Sequence, residues 1–183
     1  MKNNIIKILV GLSLISSLAH SQATESNEEY QAVEVKNFTL KSTEGKTVSL
    51  DDYKGKFVVI HIATTWCPYC NAEAPHLEEI YQEYKNRNVT VLIIDVKEPL
   101  ELVQKGIKNR FKLSFPVLLD LDGKVAASFA PADVLPELAR DEIMLASNIL
   151  IDPQGNIQFM SLLDSRNFDI KLVALKKKLN ELL

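Results

Sequence analysis

The pattern of apolar and polar positions along the chain predicts an α/β domain. Two almost continuous apolar runs, at residues 57–63 and 89–96, predict strands that are covered on both faces. Between them, Leu77, Ile80 and Tyr84 recur at the spacing of one helical face, which predicts an amphipathic helix. Strands that alternate with helices in this way predict a central mixed β-sheet flanked by helices.

Shorter elements are predicted on both sides of this unit. Residues 37–40 and 47–50 flank Glu44-Gly45-Lys46, which predicts an N-terminal β-hairpin extension. The other predicted elements are a helix that begins at Pro99, strands over 115–119 and 125–129, a surface loop or short helix over 131–142, a hairpin over 147–162 and a helix over 168–182.

The N-terminus predicts an exported precursor. Lys2 and Lys7 precede an apolar stretch, residues 8–18, that is shorter than a typical membrane span. Small residues before the polar segment predict cleavage after Ala23, and an uncleaved membrane anchor is the alternative. The predicted organisation is a signal peptide, a flexible leader and one thioredoxin-like domain, over residues 1–23, 24–34 and 35–183.

The net charge of the chain bears on whether it binds nucleic acid. The 183 residues carry a net charge of −3, and we expect no basic patch on the surface. Nucleic acid is therefore not expected as a partner, because nucleic-acid binding depends on a basic surface.

The chain contains two cysteines, Cys67 and Cys70, and they form a Cys-x-x-Cys motif between the first predicted strand and the following helix. This placement is typical of a thioredoxin-like redox site, because the helix N-terminus offers free N–H groups that stabilise a thiolate. As a structural cross-link the pair would be poor, since so short a loop removes little chain entropy. We expect Cys67 to be the exposed nucleophile and Cys70 the resolving cysteine.

Three residues around the cysteines are predicted to contact substrate. Trp66 is expected to shape the docking surface, with packing in the core as the alternative. Pro68 and Tyr69 are expected to tune the redox potential through local N–H geometry and steric contacts.

The segment from Ile62 to Pro75, which contains Thr64-Thr65-Trp66-Cys67-Pro68-Tyr69-Cys70, resembles the signature of the TlpA/ResA-like thiol–disulfide oxidoreductases of the redoxin superfamily. Residues 150–157 resemble the final hairpin of that family. The resemblance implies a thioredoxin-like fold and periplasmic exchange with protein disulfide or dithiol substrates. It also implies reductase activity, fed by a membrane or periplasmic electron donor. We expect a monomer without a cofactor.

The resemblance directs attention to Glu73 and His61. A glutamate at the position of Glu73, one helical turn after Cys70, assists proton transfer in the family, and burial would raise its pKa. The alternative is a solvated helix residue. His61 lies six residues before Cys67, where thioredoxins carry a buried aspartate, so it could shuttle a proton; the alternative is a hydrogen-bonded core histidine.

One position departs from the family pattern. The family has a cis-proline before its last hairpin, opposite the cysteines, and this chain has Ala146 there. A cis bond without proline costs about 2.5–4 kcal/mol, so we expect a trans bond and a reshaped loop. Leu145, the preceding residue, would offer backbone hydrogen bonds to substrate. The alternative alignment makes Phe115-Pro116 the cis-proline.

Two other functions use the same residues. Cys67 and Cys70 with a histidine could bind copper or zinc, as in a metallochaperone. Thr64 has the spacing of a peroxiredoxin threonine, but Ile60 stands where that motif requires a proline. We therefore expect neither a metal site nor peroxidase activity.

Overall fold

A computed structural model describes residues 34–183. The predicted signal peptide and almost all of the predicted leader lie outside the described residues. Seven strands form a single sheet in the order β2-β1-β5-β4-β3-β6-β7. The strands are β1 (Thr39–Ser42), β2 (Thr47–Ser49), β3 (Phe57–Ala63), β4 (Val89–Val96), β5 (Val117–Asp120), β6 (Asn148–Ile151) and β7 (Ile157–Ser161).

Helices cover both faces of the sheet. They are α1 (Pro68–Tyr84), α2 (Leu100–Val103), α3 (Lys124–Phe129), α4 (Arg140–Ile143) and α5 (Val173–Leu182), with a 3₁₀ turn at Leu50–Tyr53. A π-helical segment, Gln104–Asn109, continues α2. One apolar core lies between the sheet and helices α1 and α5, and the other lies beneath α3. No helix in residues 34–183 is long and apolar enough to cross a membrane.

The sheet is mixed, as predicted. Strands β3, β4 and β5 run parallel, while β1 and β6 pair antiparallel to β5 and β3. The carboxyl ends of the three parallel strands and the amino end of β6 therefore meet at one edge of the sheet. His61 of β3 pairs with Asn148 of β6, and Ala63 pairs with Asp95 of β4. This register brings polar residues from three strands to the edge from which α1 begins.

The prediction of a strand over residues 125–129 was wrong, because this segment is helix α3. Gly123 adopts φ 73° directly before the helix, a conformation that favours glycine. The carboxyl group of Asp120 accepts a hydrogen bond from the Ala126 N–H at 2.8 Å. These local interactions start a helix in a sequence whose apolar spacing is also compatible with a strand.

The predicted insertion over residues 131–142 is a surface loop that ends in the short helix α4, as its sequence allows. The guanidinium group of Arg140 organises this loop by donating to the carbonyl groups of Pro131 and Val134. Asp141 anchors it to the sheet edge, with its carboxylate 2.6 Å from the Nζ atom of Lys97. The insertion therefore lies at the same end of the sheet as the cysteines.

Candidate active site

The cysteine pair opens helix α1. Cys67 is the N-cap residue, Pro68 is the first helical residue, and Cys70 lies in the first turn. Cys67 and Cys70 form a disulfide with their Cα atoms 5.3 Å apart. The Cys70 N–H donates to Cys67 Sγ at 3.1 Å, so the helix start supplies a hydrogen bond to this sulfur. The same interaction would stabilise the Cys67 thiolate after reduction.

The prediction that Cys67 is exposed was wrong. Only 4% of Cys67 and 2% of Cys70 are accessible to solvent. Both pack in the α1-side core with Ala63 and Ala146. The Ala146 N–H and the Cys70 Sγ atom both lie close to the Ile62 carbonyl oxygen, at 2.9 and 3.8 Å, so the Ala146 loop lies beside the buried disulfide.

The three predicted substrate-contact residues differ in environment. Trp66 is 67% exposed, which excludes the alternative of packing in the core. Pro68 is exposed as well. Tyr69 is partly buried, and its ring lies edge-on to Phe168 with the centroids 4.9 Å apart. The surface beside the disulfide therefore combines an exposed indole with an anchored aromatic ring.

His61 and Glu73 meet behind this surface. Both are buried, with exposures of 0% and 3%. Asn148 bridges them: its Oδ1 atom lies 3.0 Å from His61 Nδ1, and its Nδ2 atom donates to Glu73 Oε1 at 3.1 Å. His61 Nε2 and Glu73 Oε2 have no hydrogen-bond partner among the described residues. The alternative of a solvated Glu73 is therefore wrong, whereas His61 is a hydrogen-bonded core histidine, as its alternative predicted. The bridging residue, Asn148, was not predicted from the sequence.

Burial keeps both groups neutral near pH 7. Loss of hydration lowers the pKa of His61 to about 4, and the hydrogen bond with Asn148 opposes this shift. Loss of hydration raises the pKa of Glu73 to about 8, against the hydrogen bond from Asn148. A neutral imidazole and a protonated carboxyl group are thus the stable forms between these two values.

A small cavity connects Glu73 with the surface. Its volume is about 200 Å³, and its lining includes Glu73, Ala146, Asn148, Phe159 and Phe168. The cavity lies beside the loop that closes over the disulfide. Protons can therefore reach the Glu73 carboxyl group without passing through the apolar core.

Ala146 adopts a conformation that is unusual for alanine. Every peptide bond in residues 34–183 is trans, and Ala146 has φ 59°. Its N–H donates to the carbonyl group of Ile62 at 2.9 Å, so the loop is tied to β3 beside the cysteines. The expected trans bond is confirmed. The alternative alignment is wrong because the Phe115–Pro116 bond is trans and Pro116 precedes β5. Ala146 packs in the same core cluster as the disulfide, and the residue before it, Leu145, is half-buried.

A second acidic group near the cysteines was missed by the sequence analysis. Asp95 is fully buried at the end of β4, and Glu98 is 7% exposed just after it. Burial and the neighbouring Glu98 carboxyl group raise the pKa of Asp95 to about 9. Glu98 accepts hydrogen bonds from Thr65, two residues before Cys67. The sequence signal for this acidic group was Asp95, the one acidic residue in the almost continuous apolar run at residues 89–96.

The alternative of a metal site receives no support from the side chains. Among residues 34–183, no group of three or more His, Cys, Asp or Glu side chains is placed to hold a metal ion. His76 instead lies on the outer face of α1 with its Nδ1 atom 2.9 Å from Glu79 Oε2.

Comparison with known proteins gives a consistent set of relatives. A sequence profile of the AhpC/TSA family matches residues 32–160. The thiol-disulfide oxidoreductase ResA of Bacillus cereus is 29% identical over 163 residues, which cover 86% of this chain and 87% of that protein. ResA of Bacillus subtilis is 33% identical over 121 residues, which cover 66% and 61% of the two chains.

Solved structures have the same architecture. A candidate protein disulfide isomerase from Bacteroides thetaiotaomicron superposes with a TM-score of 0.65 at 28% identity, covering 83% of this chain and 89% of that chain. A secreted Mycobacterium tuberculosis disulfide oxidoreductase homologous to DsbE superposes with a TM-score of 0.63 at 22% identity, covering 79% and 95%. The predicted thioredoxin-like fold and the predicted family resemblance are confirmed.

Proposed function

We propose that this chain reduces disulfides in exported protein substrates. The premise is that it belongs to the AhpC/TSA family and is a thiol–disulfide oxidoreductase. The observation that carries the proposal is the Cys67–Cys70 disulfide at the N-terminus of α1, where Cys67 Sγ accepts the Cys70 N–H. This hydrogen bond and the helix dipole favour the Cys67 thiolate, which is the reactive form of the reduced protein.

The proposed reaction has two exchange steps. The Cys67 thiolate attacks a substrate disulfide, which forms a mixed disulfide and releases the first substrate sulfur as a thiolate. Cys70 then loses its proton and attacks Cys67 Sγ, which releases the second substrate thiolate and closes the Cys67–Cys70 disulfide. Two electrons pass from the protein dithiol to the substrate, and a donor dithiol returns the pair to its reduced form.

Glu73 is the proposed proton acceptor and donor for Cys70. It lies one helical turn after Cys70, it lines the solvent cavity, and burial raises its pKa to about 8. A carboxyl group with such a pKa exchanges protons readily near neutral pH. His61 is proposed to act through Asn148, which binds both side chains and fixes the Glu73 carboxyl group.

The proposed substrate-docking surface surrounds the amino end of α1. It consists of Trp66, Pro68, Tyr69, Leu145 and Ala146. Trp66 offers the largest exposed apolar area, and the Ala146 loop lies against the disulfide. An extended substrate segment can contact Trp66 on one side of the cysteines and the backbone near Leu145 on the other.

The proposed location is the periplasm, which is supported by the basic N-terminus, the apolar stretch and the small residues before position 24. The electron donor would be a periplasmic or membrane dithiol protein, and the enzyme would act as a monomer. Mass spectrometry of the mature chain from a periplasmic extract tests the location. A chain that begins at Thr24 supports export with cleavage, an uncleaved chain in the membrane fraction supports the alternative of a membrane anchor, and an uncleaved chain in the cytoplasm contradicts the location.

The function is tested by trapping. A Cys70→Ser variant leaves the nucleophile in place and removes the resolving thiol, so it should accumulate mixed disulfides with substrate proteins. A Cys67→Ser variant is the matched control and should accumulate far fewer. Equal trapping by both variants would contradict the assigned roles.

The reduction potential then gives the direction of electron flow: a value near about −270 mV supports a reductase, and one near about −120 mV supports an oxidase.

A further inference from the structure

Thr65, two residues before Cys67, is held by all of its polar groups. Its N–H and its hydroxyl group both donate to the carboxyl group of Glu98, and the Oγ1 to Oε1 distance is 2.7 Å. Its carbonyl group accepts a hydrogen bond from Asn71 Nδ2 at 2.9 Å. The segment that precedes Cys67 is therefore hydrogen-bonded both to α1 and to the residues that follow β4.

The methyl group of Thr65 packs against Gly106 in the π-helical segment. A Cβ atom at Gly106 would lie 3.0 Å from Thr65 Cγ2 and 3.2 Å from Thr65 Cβ, closer than side-chain atoms ordinarily approach. A side chain at this position would therefore require Thr65 to move by a few tenths of an ångström. Isolated π-helical turns occur frequently at functional sites, and this one brings a backbone without a side chain against Thr65.

Burial of the Glu98 carboxyl group carries a cost in the free energy of folding. The Glu98 carboxyl group is almost fully buried, and it lies beside Asp95, whose two carboxyl oxygens have no hydrogen-bond partner within residues 34–183. Burying two neighbouring carboxyl groups costs free energy unless their interactions compensate. Thr65 donates two hydrogen bonds to the Glu98 carboxyl group, so part of the compensation comes from the segment that precedes Cys67.

We propose that Glu98 and Gly106 form a clamp on Thr65 that positions the Trp66–Cys67 segment for disulfide exchange. The inference rests on the proposed function, and Glu98 is a positioning residue because it acts through Thr65. The clamp keeps Cys67 Sγ at the N-cap, where it accepts the Cys70 N–H at 3.1 Å. When the clamp is loosened, the thiolate loses part of this stabilisation, so the pKa of the Cys67 thiol rises and exchange slows.

The first test measures the reduced protein in two assays. The rate of alkylation by iodoacetamide as a function of pH gives the pKa of the Cys67 thiol, and reduction of hydroxyethyl disulfide gives the exchange rate. Glu98→Ala and Thr65→Val should raise this pKa and slow exchange about tenfold, the change that corresponds to about 1.4 kcal/mol. Glu98→Gln, which keeps an oxygen acceptor, should restore most of the rate. Glu101→Gln, at an exposed position on α2, is the matched control and should behave as wild type.

The second test uses the contact with Gly106 and does not depend on removing a buried carboxyl group. Gly106→Ala should slow exchange in the wild-type background, although alanine favours the helical conformation. Thr65→Ser removes Cγ2, so Gly106→Ala should have a much smaller effect in that background. Equal effects in both backgrounds, or variants that lose thermal stability without any shift of the Cys67 thiol pKa, would overturn the clamp. A wild-type protein that reduces no disulfide would instead overturn the proposed function.

Discussion

The Nδ1 atom of His61 lies 3.5 Å from the Oε2 atom of Glu73 in the buried layer beneath the cysteines. This separation is too long for a direct hydrogen bond, and the Asn148 amide links the two side chains instead. Burial lowers the pKa of His61 to about 4 and raises that of Glu73 to about 8, so neither group carries a charge near pH 7. Removal of the Glu73 proton creates a negative charge in a buried position, and this cost is the main cause of its raised pKa.

The raised pKa of Glu73 predicts how stability depends on pH. Between pH 4.5 and about 8 the folded protein retains a proton that the unfolded chain releases. Glu73 therefore makes the free energy of unfolding fall as the pH rises through this window, by up to about 1.4 kcal/mol per pH unit. The lowered pKa of His61 has the opposite effect between about pH 4 and 6.5, so the decrease is clearest above pH 6.5. Glu73→Gln cannot titrate, so its urea unfolding should lose this part of the slope.

Exposed Glu79 on the same helix provides the control for this measurement. Glu79→Gln should leave the pH dependence of stability close to that of wild type. A residual decrease above about pH 6.5 is expected in every variant, because Asp95 also has a raised pKa. A Glu73→Gln protein with the full wild-type slope would show that Glu73 is ionised in the folded state.

The proposed role of His61 predicts a defect in the second exchange step. His61→Asn removes the ring that contacts Asn148, so the Glu73 carboxyl group loses its fixed position. Resolution of a mixed disulfide should slow about tenfold, less than the roughly 100-fold or more lost when an acid–base group itself is removed, because Glu73 remains. Attack by Cys67 should be unchanged. Stopped-flow measurement with a preformed mixed disulfide separates the two steps, and His76→Asn, on the outer face of α1, is the control. Unchanged resolution would remove His61 from the mechanism.

The sequence identified the reactive groups much better than their surroundings. The spacing of Cys67 and Cys70 after an apolar strand was sufficient to place the disulfide at the start of a helix. The clamp on Thr65 was not predictable because Glu98 is 33 residues away along the chain, and only strand order brings the two together. The strand predicted over 125–129 failed for a related reason: the Asp120 cap and the Gly123 turn decide its conformation, and an apolar count over five residues does not detect them.

The conformation of Ala146 predicts opposite effects for two substitutions. At φ 59° an alanine is strained, so Ala146→Gly should stabilise the protein by about 0.5–1 kcal/mol. Ala146→Pro should destabilise it by about 3 kcal/mol or more, because proline holds φ near −65° and cannot donate to the Ile62 carbonyl group. Urea unfolding measures both. A proline variant as stable as wild type would show that the loop accepts a different backbone path.

The exposure of Trp66 predicts a defect that is specific to protein substrates. Because its side chain is 67% exposed, Trp66→Ala should change the free energy of unfolding by less than about 0.5 kcal/mol. Loss of an exposed aromatic anchor should raise KM for a protein disulfide about tenfold or more, while reduction of hydroxyethyl disulfide stays near the wild-type rate. Leu121→Ala is the control, since Leu121 is equally exposed but follows β5. If Trp66→Ala and Leu121→Ala give the same KM for the protein substrate, docking does not involve the Trp66 surface.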